Sequence, residues 1–152
     1  MAYRDYINFW KEKRPAISSQ FSVSIPGYSG LSDYIMGGDF PGGINVDSQP
    51  LSVGNGHEYV PTDYDCKGPS INFVEDSDGN VKSVIQRWMK KIVNTDGTFK
   101  PPASYKQTIT LNLEKFKVEY VGCYPLGMAS YSLDMNPSFI ILAVQFSCDS
   151  IK

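Results

Sequence analysis

The chain has 152 residues and nearly balanced charge, with 14 basic and 16 acidic side chains and a net charge of −2. This length predicts one domain, large enough to bury its own hydrophobic core. The small negative charge gives no electrostatic basis for gripping nucleic acid, which excludes the strongly basic class of DNA-binding proteins. No window approaches the ~20 apolar residues of a membrane span, so we expect no membrane partner.

The first twenty residues mix aromatic and charged side chains, and we expect them to form an arm. The segment MAYRDYINFWKEKRP lacks the apolar run of a signal peptide, and Pro15 stops any helical turn that forms there. It is too aromatic for a solvated tail and too short for a domain. The predicted organisation is therefore an N-terminal arm over residues 1–20, followed by a single domain over residues 21–152.

Residues 21–43 predict a strand, a weaker return strand and a break. Phe21–Ile25 alternates apolar residues with serine, the pattern of a half-buried strand, and Pro26 ends it. Leu31–Met36 is the weaker candidate for the returning strand. Gly37–Gly43 reads GGDFPGG, and such a cluster of breakers predicts a loop.

Residues 44–66 predict a protruding hairpin that is mostly polar. The pair Asn55-Gly56 is a strong hairpin-turn signal, because both central residues of the turn take positive φ. We assign the two arms to Gln49–Val53 and Glu58–Thr62. A long exposed hairpin on a small domain contributes little to a core, so we expect it to contact another molecule.

The strongest pattern in the chain lies between Pro69 and Val93. Pro69–Glu75 alternates as a strand, and an amphipathic helix follows over about residues 78–93. The apolar residues that share one arc of this helix are Val81, Val84, Ile85, Trp88 and Ile92. Asp76, Ser77 and Asp78 are the N-cap candidates. A helix with one apolar stripe must bury it, and here the available partner is a sheet.

The last third of the chain gives the clearest strand signals. The predicted strands are Tyr105–Leu113, Phe116–Val121, a weaker one around Tyr131 and Leu133, and Phe139–Phe146. The run Gly122-Cys123-Tyr124-Pro125 bends or ends the second of these. Phe139–Phe146 is apolar on both faces for most of its length, which predicts a strand covered on both sides. Six to eight strands and one helix predict a mainly β fold, a sandwich or rolled antiparallel barrel with one packed helix.

The sequence contains few candidates for catalytic residues. His57 is the only histidine and lies in the predicted hairpin, and neither a nucleophile elbow nor a P-loop is present. Asp76-Ser77-Asp78-Gly79 faintly resembles a calcium loop, but position twelve is Arg87 where a glutamate is needed. Asp63 and Asp65 are compatible with the paired carboxylates of a glycosidase, but nothing else in the sequence indicates such a pair. We predict no catalytic, cofactor-binding or metal-binding residues and no cofactor, and thus a protein that is not an enzyme.

Two compositional features bear on assembly and compartment. The chain has two Trp, ten Tyr and eight Phe, more aromatic residues than one modest core needs, which favours contact with other molecules. The cysteines are odd in number and widely spaced, without a CxxC pair. We expect Cys66, Cys123 and Cys148 to be reduced, mostly buried thiols of a protein made in a reducing cytoplasm.

The order of these elements resembles the tail tube protein family of contractile-tailed bacteriophages, which shares its fold with haemolysin-coregulated (Hcp-like) tube proteins. The resemblance covers nearly the whole chain. The motifs that carry it are Arg14-Pro15 before the first strand, Phe40-Pro41-Gly42-Gly43 before the hairpin, Phe73 followed by the helix with Trp88, Tyr105-Lys106 at the next strand, Gly122-Cys123-Tyr124-Pro125, and the closing strand FIILAVQF. The aromatic arm departs from the family's expected start.

The resemblance implies a structural subunit that forms hexameric rings, which stack into a hollow tube inside a contractile sheath. It implies partners as well: other copies of the chain, the sheath protein, a baseplate initiator, a tail terminator, and the tape measure protein and DNA in the channel without specific binding. The expected location is the tail of a virion assembled in the bacterial cytoplasm. A baseplate tube initiator or an Hcp-like secretion tube protein is the near alternative. A monomeric β-barrel that binds a ligand or glycan is the alternative from a different class.

Overall fold

The computed structural model describes residues 21–128 and 138–152 and, outside these ranges, only Arg4, Ile7, Asn8, Lys11, Tyr131, Leu133 and Met135. The predicted arm of residues 1–20 therefore lies almost entirely outside the described residues. Ten strands are described: β1 (Phe21–Ser24), β2 (Ile35–Asp39), β3 (Asn45–Val53), β4 (Gly56–Asp65), β5 (Ser70–Val74), β6 (Gln107–Leu113), β7 (Lys117–Cys123), β8 (Pro125–Met128), β9 (Ile141–Phe146) and β10 (Ser150–Ile151). The helix α1 spans Asn80–Lys90, and 3-10 segments span Pro26–Tyr34 and Pro102–Ser104.

The strands form two antiparallel sheets of four strands and a separate two-stranded hairpin. The first sheet has the order β1-β6-β7-β10, the second has the order β2-β5-β9-β8, and β3 pairs with β4. The fold class predicted from the sequence, mainly β with one packed helix, is confirmed for the described part of the chain. The two sheets and α1 enclose one hydrophobic core.

The predicted strands around the core are largely confirmed. Phe21–Ile25 became β1, with Val23 and Ile25 buried. Pro69–Glu75 became β5, where Ile71 and Phe73 are both fully buried as their alternation predicts. The strands predicted at 105–113 and 116–121 became β6 and β7, shifted by one or two residues at their ends.

The helix is shorter than predicted and buries three of the five residues of the predicted stripe, whereas Val84 is only half-buried and Ile92 lies beyond the end of the helix. Val81, Ile85 and Trp88 have no exposed surface. The Trp88 ring stacks on Tyr28 at 4.5 Å between centroids, and its Nε1–H donates to the carbonyl oxygen of Tyr105 at 2.6 Å. Thus α1 packs against the 3-10 segment at Pro26–Tyr34 and against the second sheet.

The N-terminus of α1 is capped from upstream, which corrects the N-cap prediction. The N-cap residue is Gly79, at φ 72°, rather than Ser77 or Asp78. Asp76 Oδ1 accepts the backbone N–H of Asn80 at 3.0 Å, and the Glu75 carboxylate accepts the N–H groups of the next two residues at 3.0 Å each. Two acidic side chains therefore satisfy the first free amides of the helix and complement its dipole.

Two local predictions between β1 and the hairpin were wrong. Leu31–Met36 is not a return strand, since most of it belongs to the 3-10 segment, and β2 begins only at Ile35. Gly37 and Gly38, predicted as loop, continue β2 instead. A Cβ atom on Gly38 would lie 2.2 Å from the carbonyl oxygen of Ser70 in β5, so this pairing needs glycine.

The C-terminal part contains elements that the sequence analysis missed. Gly122, at φ 75°, lies one residue before the end of β7, and the chain then crosses to the other sheet as β8, where only a bend or strand end was predicted. The described positions Tyr131 and Leu133 are not in strand conformation, so the weak strand predicted there is wrong at these residues. The short strand β10 was not predicted.

Strand β9 is fully buried on one face and partly covered on the other, where Ala143 and Gln145 are half-buried. Leu142, Val144 and Phe146 face the core and are at most 1% exposed, whereas Ile141 on the opposite face is 42% exposed. The Phe146 ring lies 5.5 Å from Trp88, which places the helix on the covered side as predicted. The described residues therefore supply only part of the predicted cover on the second side, and Ile141 is left exposed.

Candidate assembly interface

The edges of the two sheets form the first part of the candidate interface. Within the described ranges, β1 and β10 pair on one side only, and so do β2 and β8. An open hollow of about 430 Å³ separates β1 from β2 and is lined by Phe21, Val23 and Ile35 among others. Unpaired edges present free N–H and C=O groups, and proteins cover such edges or pair them with another chain.

The hairpin β3–β4 forms the second part. Every residue of both strands is exposed, and their pairing runs from Asn45 opposite Asp65 to Val53 opposite Gly56. The turn is Gly54-Asn55, with Gly54 at φ 59°, so the prediction that Asn55-Gly56 forms its centre is wrong by one residue. The predicted hairpin itself is confirmed, with arms longer than expected.

The two faces of the hairpin differ in composition. Residues paired across the ladder share a face, so the register places Pro50 beside Tyr59 and Val46 beside Tyr64 on the same side. Tyr59 is 71% exposed and Tyr64 is 68% exposed. Most residues of the hairpin are polar, as predicted, and Leu51, Val53 and Val60 lie on one face. The opposite face is distinguished by the two exposed tyrosines, which stand in a row with three smaller apolar residues. We call this the hairpin aromatic row; its members are Val46, Pro50, Tyr59, Pro61 and Tyr64.

The candidate residues for chemistry do not come together. His57 lies opposite Ser52 on the exposed hairpin, and Asp63 lies opposite Asp47 on the same ladder, away from any enclosed cleft. Asp65 lies opposite Asn45 at the hairpin base. No group of three or more potential metal ligands occurs among the described residues.

The acids that resembled a calcium loop are occupied by helix capping. Asp76 accepts hydrogen bonds from the backbone of Asp78 and Asn80 and from the Tyr34 hydroxyl at 3.1 Å. The hydrogen bond from the Asn80 backbone is the main cause that lowers the pKa of the Asp76 carboxyl. The interpretation of these acids as helix-capping and turn residues therefore explains how the Asp76 carboxylate oxygens are used.

A second hollow lies at the base of the hairpin, and its lining is mixed. It measures about 460 Å³, is open to solvent, and is lined by Asp39, Phe40, Pro41, Lys67, Gly68 and Gln145 among others. The buried Tyr120 hydroxyl donates to the Pro41 carbonyl at 2.6 Å, which fixes one wall, and burial raises the pKa of this phenol to about 12.

In the part of the chain that is described, no helix has the length and apolar character needed to cross a membrane.

Comparison with known proteins identifies the fold. No protein-family model and no curated protein sequence matches the chain. Solved structures do match over nearly its whole length. One belongs to the sheath-tube complex of an extracellular contractile injection system in the extended state, with TM-score 0.65 and 14% identity over 95% of both chains.

Two further matches come from the ends of such tubes. A chain of the anti-feeding prophage tube-terminating cap matches with TM-score 0.65 and 14% identity over 91% of this chain and 89% of that one. A sheath/tube terminator of an extracellular contractile injection system matches with TM-score 0.61 and 15% identity, over 91% and 95% of the two chains. The chain therefore has a tail-tube-like fold, the fold found in the tube components of contractile injection systems.

Proposed function

We propose that this protein is a structural, non-enzymatic subunit of a tail tube. Copies join into hexameric rings, and the rings stack into a hollow tube inside a contractile sheath. The channel serves the passage of DNA, which it contacts without specific binding, together with the tape measure protein. The sheath protein, a baseplate initiator and a tail terminator are the other partners, and the assembled particle is the tail of a virion.

The single observation that carries this proposal is the incomplete sheet system of one copy. Among the described residues, β1 and β2 each have one edge without a strand partner, and these edges lie across the hollow lined by Phe21 and Ile35. Joining such edges between copies around a closed ring satisfies their backbone groups and removes a surface that otherwise promotes aggregation. The half-exposed Ile141 on the outer face of β9 gives the same ring an apolar surface to cover.

The hairpin aromatic row supplies the contact between rings in this proposal. Tyr59 and Tyr64 are more than two-thirds exposed in one copy, although tyrosine is strongly enriched in buried protein interfaces. A row of apolar side chains on a two-stranded ribbon is costly to leave in water, and a neighbouring copy covers it. The near-neutral charge of the chain suits a channel that does not retain a polyanion.

A tube terminator is the second candidate, favoured by a specific observation. The terminating-cap chain matches with the same TM-score, 0.65, as the chain of the sheath-tube complex. A terminator forms one ring that does not extend, whereas a tube subunit polymerises without limit.

The initiator and secretion-tube alternatives share the tube fold. The monomeric ligand-binding module, the alternative from a different class, would use the open hollow beside Asp39 and Lys67.

The test is assembly of the purified chain, followed by sedimentation velocity and negative-stain electron microscopy. We expect rings or tubes with a central hole, and long tubes favour the tube subunit over the terminator. Tyr59→Asp combined with Tyr64→Asp places charge in the hairpin aromatic row. This pair should abolish stacking and leave the unfolding midpoint of the monomer unchanged, because both side chains are exposed.

The matched control is Tyr59→Phe, which keeps the apolar ring and should still stack. Ile141→Asp tests ring closure in the same way, but Val144→Asp does not, since Val144 is fully buried and its substitution unfolds the monomer. A wild-type chain that stays monomeric at high concentration, or an aspartate pair that stacks like wild type, contradicts the proposal.

A further inference from the structure

Two cysteines that are distant in sequence lie side by side at the base of the hairpin. The sulfur atoms of Cys66 and Cys148 are 3.5 Å apart, although 82 positions separate them in the chain. Both are free thiols and both are partly exposed. A disulfide bond measures about 2.05 Å, so the two sulfurs need to approach by roughly 1.5 Å to bond.

The backbone that carries Cys66 is held firmly against β9. Cys66 follows directly after β4, and the residues after it are bound to the end of β9 by two hydrogen bonds. Gln145 Nε2 donates to the Gly68 carbonyl at 3.1 Å, and the Phe146 N–H donates to the Pro69 carbonyl at 3.0 Å. A Cβ atom on Gly68 would lie 2.1 Å from the Phe146 carbonyl oxygen, so the two segments are in close contact.

The backbone that carries Cys148 is held equally firmly on the other side. The Ser147 N–H donates to the Tyr124 carbonyl at 3.0 Å, and the Asp149 N–H donates to the Val121 carbonyl at 2.8 Å. Lys106 and Asp149 add an ion pair at 2.6 Å next to the cysteine. The two thiols therefore face each other from two fixed segments, and their proximity does not depend on a mobile loop.

We propose that Cys66 and Cys148 form an oxidisable dithiol, a modification site that closes to an intramolecular disulfide when a small-molecule disulfide is the oxidant. The Cys66 thiolate attacks one sulfur of the oxidant and forms a mixed disulfide with it, while the other sulfur of the oxidant leaves as a thiolate and takes up a proton. The Cys148 thiol then loses its proton and attacks the Cys66 sulfur of the mixed disulfide, releasing the second small thiol. Two protein thiols and one disulfide thus become one protein disulfide and two small thiols.

The surroundings of the thiols distinguish the third cysteine from this pair. Burial and the neighbouring Cys66 thiol raise the pKa of Cys148. Cys123 is fully buried, its Sγ donates to the Tyr120 carbonyl at 3.2 Å, and burial raises the pKa of its thiol as well. Cys123 is therefore the unreactive thiol in this cluster.

The disulfide ties the base of the exposed hairpin to the connection between β9 and β10. This inference rests on the geometry of a single copy and stands whether or not the chain forms a tube.

The experiment uses the full chain, fully reduced and then incubated at neutral pH with oxidised glutathione. Free thiols are counted under denaturing conditions after acid quenching, and alkylated peptides are mapped by mass spectrometry. We expect the thiol count to fall from three to one. We also expect a single peptide pair joined through Cys66 and Cys148, with the intact mass lower by two hydrogens.

Three variants serve as controls. Cys123→Ser should oxidise like wild type, from two thiols to none, while Cys66→Ser and Cys148→Ser should form no internal disulfide. A bond that includes Cys123, a stable glutathione adduct on Cys66 beside a free Cys148, a disulfide between two chains, or three unreacted thiols overturns the proposal. The mapping of wild-type peptides decides the matter even if a serine variant does not fold.

Discussion

The core around α1 and the hairpin β3–β4 use the same residue types in opposite ways. In the core, Trp88, Phe73 and Phe146 have no exposed surface, and the one indole N–H is hydrogen bonded. In the hairpin, Tyr59 and Tyr64 are more than two-thirds exposed. Aromatic residues in the core stabilise one copy, whereas exposed aromatic residues on a ribbon gain their stabilisation only against another molecule. The difference separates what holds the monomer together from what we propose holds the assembly together.

The largest expected effect on the monomer comes from Trp88→Ala. This change removes the stacking on Tyr28, the contact with Phe146 and the hydrogen bond to Tyr105, and leaves a cavity. We expect a loss of about 3–5 kcal/mol in the free energy of unfolding, measured by urea denaturation. Tyr59→Ala in the hairpin is the matched control and should change stability by less than about 0.5 kcal/mol. Similar losses from both variants would show that the hairpin is part of the folding unit.

A smaller effect is expected from Gly68→Ala, which tests how tightly the hairpin base is held. The added Cβ meets the Phe146 carbonyl oxygen, so the segment must shift away from β9 at a cost of about 1–3 kcal/mol. In the hairpin, a Cβ on Gly56 has its nearest neighbour 4.0 Å away, and Gly56→Ala should stabilise the protein slightly, by less than about 1 kcal/mol. Urea midpoints of the two variants make the comparison. Equal effects would contradict the close packing of Gly68 on β9.

The smallest effect concerns the pH dependence of α1. Hydrogen bonds from Asn80 lower the pKa of Asp76 below its usual value of 3.8. Because the folded pKa is depressed, the stabilisation is present above pH 3.8 and is lost as the pH falls through the folded pKa. We expect Asp76→Asn to flatten the decline of the urea midpoint below pH 4. The control is Glu58→Gln in the hairpin, which removes one negative charge from a residue that caps no helix. If the decline flattens equally in that variant, the effect of Asp76→Asn cannot be attributed to helix capping.

Comparison of the two regions also shows why sequence reasoning worked better for one of them. The stripe Val81, Ile85 and Trp88 is set by a local period, and the strand alternation at Ile71 and Phe73 likewise needs only neighbouring residues. For the candidate interface, the sequence predicted a projecting hairpin. It did not predict that register would gather Val46, Tyr59 and Tyr64 on one face, because register depends on a turn that was placed one residue too late.

By itself, the sequence determined the helix, most of the strands and the mainly β class. It did so because backbone periodicity, breakers and turn residues act over a few positions. Only the tertiary structure decided that Gly37 and Gly38 extend a strand, that β8 crosses to the second sheet, and that Ile141 is exposed where Val144 is buried. These outcomes depend on which remote segments meet. The approach of Cys66 to Cys148 across 82 positions has the same origin, since a spacing along the chain carries no information about a contact that packing creates.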